Sequence, residues 1–312
     1  MLDAQSLFVP VGSTARLHLR HFPGSGSPAF LVHGAIENGR IFYSQTGKGL
    51  APYLQQLGYD VYVLDQRGRG LSVPAADRSA DYGQLETITE DLPAVAAFIQ
   101  ARRPGHQQVW ISHSWGGVLQ MSCLARHPQL NEQVAALVHF AVKRSISVWS
   151  LERFTKLELG WKRLFPLVSA MLGYLPAHRL GVGSDVETRQ SLRASNRWVR
   201  PGPWVDPDDG FDYAAAAESV EFPPSFWLTG AQDRLLGHPQ DVRVFMRECQ
   251  LNEGSFIVVG RAQGAQRDYD HINLMTHPSA REDHFPRVAA WLSAIEGVSV
   301  SEDSFTAEGD TP

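Results

Sequence analysis

The hydrophobic positions of this chain fall into short runs separated by longer stretches with helical spacing. The apolar runs lie at 29–33, 61–65, 109–112, 134–140, 225–229 and 256–259. Each run is too short for a core helix and too uniformly apolar for a strand with one face in water, which is typical of parallel strands buried on both faces. The alternation of such strands with helices predicts an α/β fold, a mostly parallel sheet with helices on both faces.

A helix is predicted between the second and third runs, because its apolar residues recur three and four positions apart. These residues are Leu85, Ile88, Leu92, Val95 and Ile99. Pro93 lies inside this pattern and lacks a backbone N–H, so we expect a kink or a late helix start there. The opening segment LFVPVGSTARLHLRHF, residues 7–22, instead predicts two strands joined at Gly12–Ser13, an antiparallel hairpin at the sheet edge.

Residues 142–222 depart from this alternation and are rich in aromatic side chains. We expect them to form an inserted helical cap over the carboxyl ends of the strands, with 1–141 and 223–296 as the core. Four tryptophans of the insert are candidate substrate-pocket residues: Trp149, Trp161, Trp198 and Trp204. The alternative is that these aromatic residues only form the core of the insert itself. Residues 297–312 contain four acidic and no basic residues, so we expect a disordered tail.

Composition and charge restrict the classes of protein that the chain can be. Its 312 residues are 43% hydrophobic and 20% charged, with a net charge of −5. These values are ordinary for a globular protein and give no reason to expect nucleic acid as a partner. Two cysteines, Cys123 and Cys249, are too few for a disulfide framework or a cysteine metal site. Because the sequence shows neither a secretory signal nor an apolar run that could span a bilayer, we expect a cytoplasmic location without an integral membrane segment.

The stretch WISHSWGG, residues 110–117, places Ser114 between a buried strand and the helix expected after it. A sharp turn there would hold the serine in a strained conformation with its hydroxyl projecting, if the residues two before and two after are small. Ser112 and Gly116 meet that condition, although Ser112 stands where the G-x-S-x-G motif has glycine. Gly117 lets the helix pack close to the sheet. The alternative is that Ser114 only caps the helix.

Attack of a serine on a carbonyl also needs N–H donors for the oxyanion that develops. The amide of Trp115, directly after the serine, is one candidate. The loop LVHGAIENGR, residues 31–40, offers the amide of Ala35 as the second, because Gly34 permits a tight turn. Glu37 follows in that loop and is interpreted as a solvated surface charge.

The base and its orienting carboxylate should follow the serine in the order acid, then histidine. Asp233 lies just past the run 225–229, in a loop that contains glycine, and His271 lies after the next run, before the last predicted helix. Both positions are at the carboxyl ends of strands, on the side of Ser114. We therefore predict that His271 takes the proton of the serine, while Asp233 orients the imidazole and stabilises its cation.

Other residues compete for these two roles. His277 stands at the entry of the last helix and is the main rival of His271, whereas His284 falls within that helix and is interpreted as a surface residue. Asp241 falls within a helix, away from a strand end. Asp65, in DQRGRGLS, does end a strand, but we interpret it as a structural residue that anchors the glycine-rich loop after it.

From about residue 5 to residue 296 the chain resembles the α/β-hydrolase superfamily. The segments that carry the resemblance are HGAIENG, DQRGRGLS, SHSWGG, TGAQDRL and DYDHINL. YDHINLM followed by HFPRVAAWL is similar to acid-lipase-like and carboxylesterase members, in which an aromatic residue and an acid lead into the catalytic histidine. The resemblance implies the α/β-hydrolase fold with an eight-stranded, mostly parallel sheet, and a serine esterase mechanism. It does not identify the substrate.

Together these residues predict a serine hydrolase that cleaves a small-molecule carboxylic ester through an acyl-enzyme, with no metal or organic cofactor. The tryptophans of the insert favour an apolar acyl or alcohol group. An acyltransferase would use the same residues with another acceptor in place of water. A hydrolase-fold protein that only binds a ligand is a further alternative, although such a protein would not need all three triad residues. The sequence leaves the oligomeric state open.

Overall fold

The computed structural model describes residues 4–252 and 255–299. Its strands are β1 Gln5–Val11, β2 Ala15–Phe22, β3 Pro28–Val32, β4 Asp60–Leu64, β5 Gln108–His113, β6 Val134–Phe140, β7 Tyr174–Leu175, β8 Glu187–Thr188, β9 Ser225–Gly230 and β10 Phe256–Val259. Over these residues, eight strands form one sheet in the order β1-β2-β4-β3-β5-β6-β9-β10. The β1–β2 and β2–β4 pairs are antiparallel, and the other neighbours in this sheet are parallel. The predicted strands, the edge hairpin and the mostly parallel sheet are confirmed.

The helices lie on both faces of this sheet. They are α1 Leu50–Gln56, α2 Gln84–Glu86, α3 Leu92–Arg102, α4 Trp115–Arg126, α5 Phe165–Leu172, α6 Arg189–Trp198, α7 Tyr213–Glu218, α8 Pro239–Glu248, α9 Asn273–Thr276, α10 Ala280–Asp283 and α11 Phe285–Ser293. Two further helical segments are more widely wound, Thr87–Asp91 and Arg153–Leu164. The first joins α2 to α3 directly before Pro93, so the irregularity predicted at that proline is present.

Two hydrophobic clusters fill the space between sheet and helices. Successive strand residues point to opposite faces, so Phe30 and Trp110 belong to the cluster under α3, α4 and α8. Their neighbours Leu31 and Ile111 belong to the cluster under α1 and α11. Burial on both faces explains why these strands are apolar throughout and do not alternate with polar residues.

The segment 142–222 contains α5, α6, α7 and the short antiparallel pair β7–β8. It contacts the loop after β3, because the Ser184 and Asp185 N–H groups both donate to the Ile36 carbonyl, at 2.9 and 3.0 Å. The division of the chain into a core and a cap stays a prediction.

The expected disordered tail, 297–312, lies mostly outside the described residues, which end at 299. Its first residues contact the core. The Ser27 N–H donates to the Ser299 carbonyl, and the Ser299 N–H donates to Ser27 Oγ, each at 2.8 Å.

Candidate active site

Ser114 stands at the sharp turn between β5 and α4. Its backbone has φ +52° and ψ −126°, a sparsely populated conformation for a residue with a side chain. Its N–H donates to the Phe140 carbonyl of β6 at 2.9 Å. Ser114 does directly precede the helix, as the capping alternative requires, but its side chain accepts no N–H from the first turn. Its hydroxyl therefore has a different partner.

The two glycines after Trp115 allow α4 to approach the sheet. A Cβ atom on Gly116 would lie 2.4 Å from the carbonyl oxygen of Val32 in β3. A Cβ atom on Gly117 would lie 2.4 Å from the side chain of Val142. Larger residues would push the helix away from β3, and the turn at Ser114 would move with it.

Three side chains that are far apart in the sequence meet at this turn. His271 Nε2 lies 2.9 Å from Ser114 Oγ, and His271 Nδ1 lies 2.5 Å from Asp233 Oδ2. When Nδ1 carries the ring hydrogen and donates it to Asp233 in a hydrogen bond, Nε2 has a free lone pair that can accept the serine proton. The imidazole and the carboxylate are both buried, at 8% and 3% exposure. The structure thus brings the three predicted triad residues together.

The carboxylate of Asp233 is held from both sides. Its second oxygen, Oδ1, accepts the Gly237 N–H at 2.8 Å. Burial alone would raise the pKa of Asp233, but the His271 charge and hydrogen bond, the Gly237 N–H and the Lys143 ammonium outweigh it and hold that pKa below its usual value. Asp233 is therefore an anion at neutral pH, as an orienting carboxylate must be.

The rivals of these residues have other partners. Asp241 accepts from the Ser147 N–H and hydroxyl, at 2.9 and 2.5 Å. His277 Nδ1 accepts the Ser279 N–H at 3.2 Å. The interpretation of His284 as a surface residue is wrong, because its side chain is fully buried between α10 and α11 and donates from Nε2 to the Leu274 carbonyl at 2.7 Å. Burial lowers the pKa of His284 to about 4.

The predicted oxyanion amides lie beside Ser114. Ala35 is in the loop after β3, and Trp115 is the first residue of α4. A Cβ atom on Gly34 would lie 2.9 Å from Ser114 Cβ, so only glycine lets the loop pass this close. Neither amide N–H has an acceptor among the residues that the structure describes. Both residues line one small cavity, the inner cavity, whose walls also include Arg69, Gln84 and Glu187.

Glu37 is buried and does not stand in solvent, so its interpretation as a surface charge is wrong. Its Oε2 accepts the Gly34 N–H and a hydrogen from His113 Nδ1, both at 3.0 Å. His113 Nε2 lies 3.0 Å from the His271 carbonyl oxygen. The prediction failed because nothing in the local sequence shows that the loop turns its charge inward, against the residue before the nucleophile.

The protonation state of this pair follows from its contacts. Both nitrogens of His113 face acceptors, and only an imidazolium donates from both. Burial would lower the pKa of His113, but the Glu37 charge and hydrogen bond outweigh it and raise that pKa. Burial would likewise raise the pKa of Glu37, yet His113 holds it below its usual value. Glu37 and His113 therefore form an ion pair beneath the triad.

Asp65 acts as the structural anchor that the sequence predicted. It accepts the Gly39 and Leu71 N–H groups, at 2.8 and 3.1 Å, and lies 2.8 Å from His18 Nδ1. These contacts tie the loop after β4 to the loop that carries Ala35.

The four candidate pocket tryptophans lie in different surroundings. Trp149 is 70% exposed, and Trp161 is half-buried against Phe165. Trp198 and Trp204 are buried and pack edge-on against each other, 6.4 Å between ring centroids. None of the four is among the residues that line the inner cavity. Their role in a substrate pocket stays a prediction.

Two other features, a metal-binding cluster and a membrane-spanning helix, are absent from the residues that the structure describes. They contain no group of three or more histidine, cysteine or acidic side chains arranged to hold a metal ion. Over the same residues, no helix is long and apolar enough to cross a membrane.

Comparison with known proteins identifies relatives of this chain. The sequence model of the family described as "Serine aminopeptidase, S33" matches residues 29–195. A protein named "Probable proline iminopeptidase", from Streptomyces coelicolor, is 26% identical over 256 residues, 73% of this chain and 71% of that protein.

Solved structures with the same architecture include proteins of different activities. An esterase from Exiguobacterium antarcticum has a TM-score of 0.63 at 14% identity, covering 93% of this chain and 100% of that one. A bromoperoxidase from Bacillus anthracis has a TM-score of 0.60 at 12% identity, with the same coverage. At such identities the similarity shows the shared fold alone.

Proposed function

The chain belongs to the serine aminopeptidase S33 family of the α/β-hydrolases, and we propose that it is a serine hydrolase that cleaves carboxylic esters through an acyl-enzyme. The family membership supports a hydrolytic enzyme. The observation that carries the finer proposal is the unbroken chain of short contacts from Asp233 through His271 to Ser114 Oγ. A site that only bound a ligand would have no need of that chain.

The reaction follows from these positions. As Ser114 Oγ attacks the ester carbonyl carbon, His271 Nε2 takes its proton and the carbonyl π electrons move to the oxygen. The Ala35 and Trp115 N–H groups donate to that oxyanion. When the intermediate collapses, the bond to the alcohol oxygen breaks and His271 gives its proton to the leaving alcohol. Water, deprotonated by the same nitrogen, then attacks the acyl carbon of the acyl-enzyme. The bond from that carbon to Ser114 Oγ breaks, His271 returns the proton to Oγ, and the acid is released.

The charges around the inner cavity favour an ester over a peptide with a free amino terminus. A buried ammonium group needs an unpaired carboxylate as its partner. The carboxylate of this cavity, Glu187, is already ion-paired with Arg69 and accepts the Ile36 N–H at 3.3 Å. Peptide cleavage, which the name of the Streptomyces relative suggests, is therefore the second candidate.

We also propose that residues 142–222 form a cap over the site. The support is the hydrogen bonding of Ser184 and Asp185 to the Ile36 carbonyl, next to the proposed oxyanion amide of Ala35. A cap held there would shield the bound ester from bulk solvent on the side of that loop.

A panel of p-nitrophenyl esters and prolyl p-nitroanilide, assayed on wild type and on Ser114→Ala, tests the reaction. We expect turnover of short acyl esters and its loss in Ser114→Ala, with an unchanged circular dichroism spectrum. Faster cleavage of the anilide than of every ester would favour the peptidase, and undiminished ester turnover by Ser114→Ala would contradict the proposal.

Product analysis separates hydrolysis from acyl transfer. The ester is incubated with a competing alcohol, amine or thiol, and the products are separated by chromatography. We expect the free acid as the main product. If the acyl group goes mainly to the added acceptor, the chain is an acyltransferase on the same triad.

A further inference from the structure

The inner cavity is lined by Ala35 and Trp115, the two residues that carry the proposed oxyanion amides. An ester carbonyl bound to those amides would therefore have the first carbons of its acyl group near this cavity. Its accessible space is only about 10 Å³, which is room for one water-sized group. A long alkyl chain does not fit such a space. The size therefore points to a small substituent near the ester carbonyl.

The wall of the cavity also includes an unsatisfied side chain. Gln84, at the start of α2, is 3% exposed. Its Oε1 and its Nε2 are both buried, and neither has a hydrogen-bond partner among the described residues. Buried amide groups almost always have partners. An unsatisfied donor and acceptor at a cavity wall are what a ligand with its own hydrogen-bonding group would complete.

The two charged side chains that line the cavity have opposite signs and neutralise each other. Arg69 and Glu187 form a buried ion pair, with 5% and 2% of their side chains exposed. Arg69 also donates from Nε to the Val186 carbonyl and from Nη1 to the Gln66 side chain, both at 3.3 Å. Glu187 also accepts the Thr188 N–H at 3.1 Å. With both charges engaged, a charged ligand group would enter without a counter-ion, which is costly in a buried site.

We propose that the inner cavity is an acyl subsite for esters whose acyl chain carries a hydroxyl group close to the carbonyl, with Gln84 as the residue that recognises it. A hydroxyl has the size of the space, is neutral, and can donate to Oε1 or accept from Nε2. A methyl group in its place would leave the glutamine amide unsatisfied, and an ammonium would have no free carboxylate. This inference rests on the proposed ester hydrolysis and replaces the apolar acyl group expected from the sequence.

Matched p-nitrophenyl esters test the subsite. Within each pair, one ester has a hydroxyl group where the other has a methyl group. The 2-hydroxypropanoate ester is compared with the 2-methylpropanoate ester, and the 3-hydroxybutanoate ester with the 3-methylbutanoate ester. The ester of 3-aminobutanoate adds a cation of similar size. We expect wild type to prefer the hydroxyl member of at least one pair by about tenfold or more in kcat/KM, and to cleave the ammonium ester most slowly.

Gln84→Met removes both hydrogen-bonding atoms and keeps the shape of the side chain. We expect this variant to lose the hydroxyl preference while it still cleaves the methyl esters, which also shows that it folds. Gln120→Met is the matched control, because Gln120 is equally buried but lies in α4, outside the inner cavity. It should keep the preference.

Two results would overturn the subsite: a wild type that prefers the methyl esters in both pairs, or an unchanged hydroxyl preference in Gln84→Met. Failure of the proposed function looks different, because then no ester of the panel is cleaved. In that case, calorimetric titration of Ser114→Ala with methyl 3-hydroxybutanoate and methyl 3-methylbutanoate still tests the subsite. Equal affinities would overturn it.

Discussion

At the scale of single residues, the pair Glu37–His113 joins two loops of the site. One carboxylate oxygen takes hydrogens from Gly34 and from His113, and the same histidine ring reaches the backbone of His271. The loop of Ala35 and the loop of His271 are thereby both held to His113, the residue before Ser114. The pair contacts no reacting atom, so its role is to position these loops.

We predict that Glu37→Gln lowers kcat by about tenfold to a hundredfold, because small displacements of reacting groups have effects of this size. Without the carboxylate His113 becomes neutral and keeps a single N–H. It can then donate to the glutamine or to the His271 carbonyl, and one loop is released. Steady-state kinetics on the best p-nitrophenyl ester should show the loss in kcat, with KM nearly unchanged.

His139→Gln is the control for this variant. His139 is also fully buried, but it lies in β6 and bonds Ser112 Oγ at 2.7 Å, away from the two loops. It should lower stability and leave kcat unchanged. Equal losses of kcat in the two variants would mean that burial of a polar group, rather than loop positioning, explains the effect.

The meeting of distant side chains was predictable where position along a strand decides it. Ser114, Asp233 and His271 each follow an apolar run, and such runs end at one edge of a parallel sheet. The burial of Glu37 and His284 was missed because each stands among polar neighbours. Only the fold shows that their side chains turn toward the core.

At the scale of elements, the close contact between α4 and β3 fixes the position of the turn at Ser114. We predict that Gly116→Ala destabilises the protein by about 1–3 kcal/mol, because the new methyl group would meet the rigid carbonyl of Val32 at 2.4 Å. Urea unfolding measures the loss, and ester turnover should fall with it, since the helix shift moves Ser114.

Gly160→Ala is the matched control for that substitution. Gly160 lies in the helical segment Arg153–Leu164, where the nearest atom to an added Cβ is 3.5 Å away. Alanine should fit there and stabilise the helix by up to about 1 kcal/mol. Equal destabilisation by both substitutions would contradict the close contact at Gly116.

The strands were more predictable than the helices around them. Uniformly apolar runs such as 134–140 mark buried parallel strands directly, and β6 has these bounds. The last helix was expected to be continuous, but it breaks at His284 into α10 and α11. Pro286 lies in the first turn of α11 and lacks the N–H that would continue α10 through this point, so the break falls just before it.

At the scale of the whole molecule, buried histidines should make the fold sensitive to acid. Burial lowers the pKa of His33 to about 4 and that of His139 to about 3, and His284 behaves alike. Each of these histidines stays neutral in the folded state. In the unfolded state its pKa is 6.5, and below that pH it binds a proton, so the stability of the fold decreases as the pH is lowered. Asp91 opposes this, because burial raises its pKa to about 6 and the folded state takes up that proton.

We predict that the free energy of unfolding falls by on the order of 3 kcal/mol when the pH is lowered from 7 to 5, because the unfolded chain then binds about two more protons than the folded chain. Urea unfolding at the two pH values measures it. A free energy of unfolding that is constant or higher at pH 5 would contradict the buried, neutral state of these histidines.

The relation of residues 142–222 to the rest of the chain was the least predictable feature. The segment contacts the site through the ion pair of Arg69 and Glu187, which are 118 positions apart. It also contacts the site through hydrogen bonds to the backbone carbonyl of Ile36. No periodicity or motif pairs residues over such a distance. The sequence could predict an insert at this point, but not the ion pair that defines the inner cavity.

The most direct test of the account is covalent labelling with a fluorophosphonate probe, followed by mass spectrometric mapping of the modified residue. We predict one label, on Ser114, that forms rapidly in wild type, slowly in His271→Gln and not at all in Ser114→Ala. A wild type that takes no label at Ser114, or a His271→Gln variant labelled as fast as wild type, would contradict the claim that this serine is an activated nucleophile.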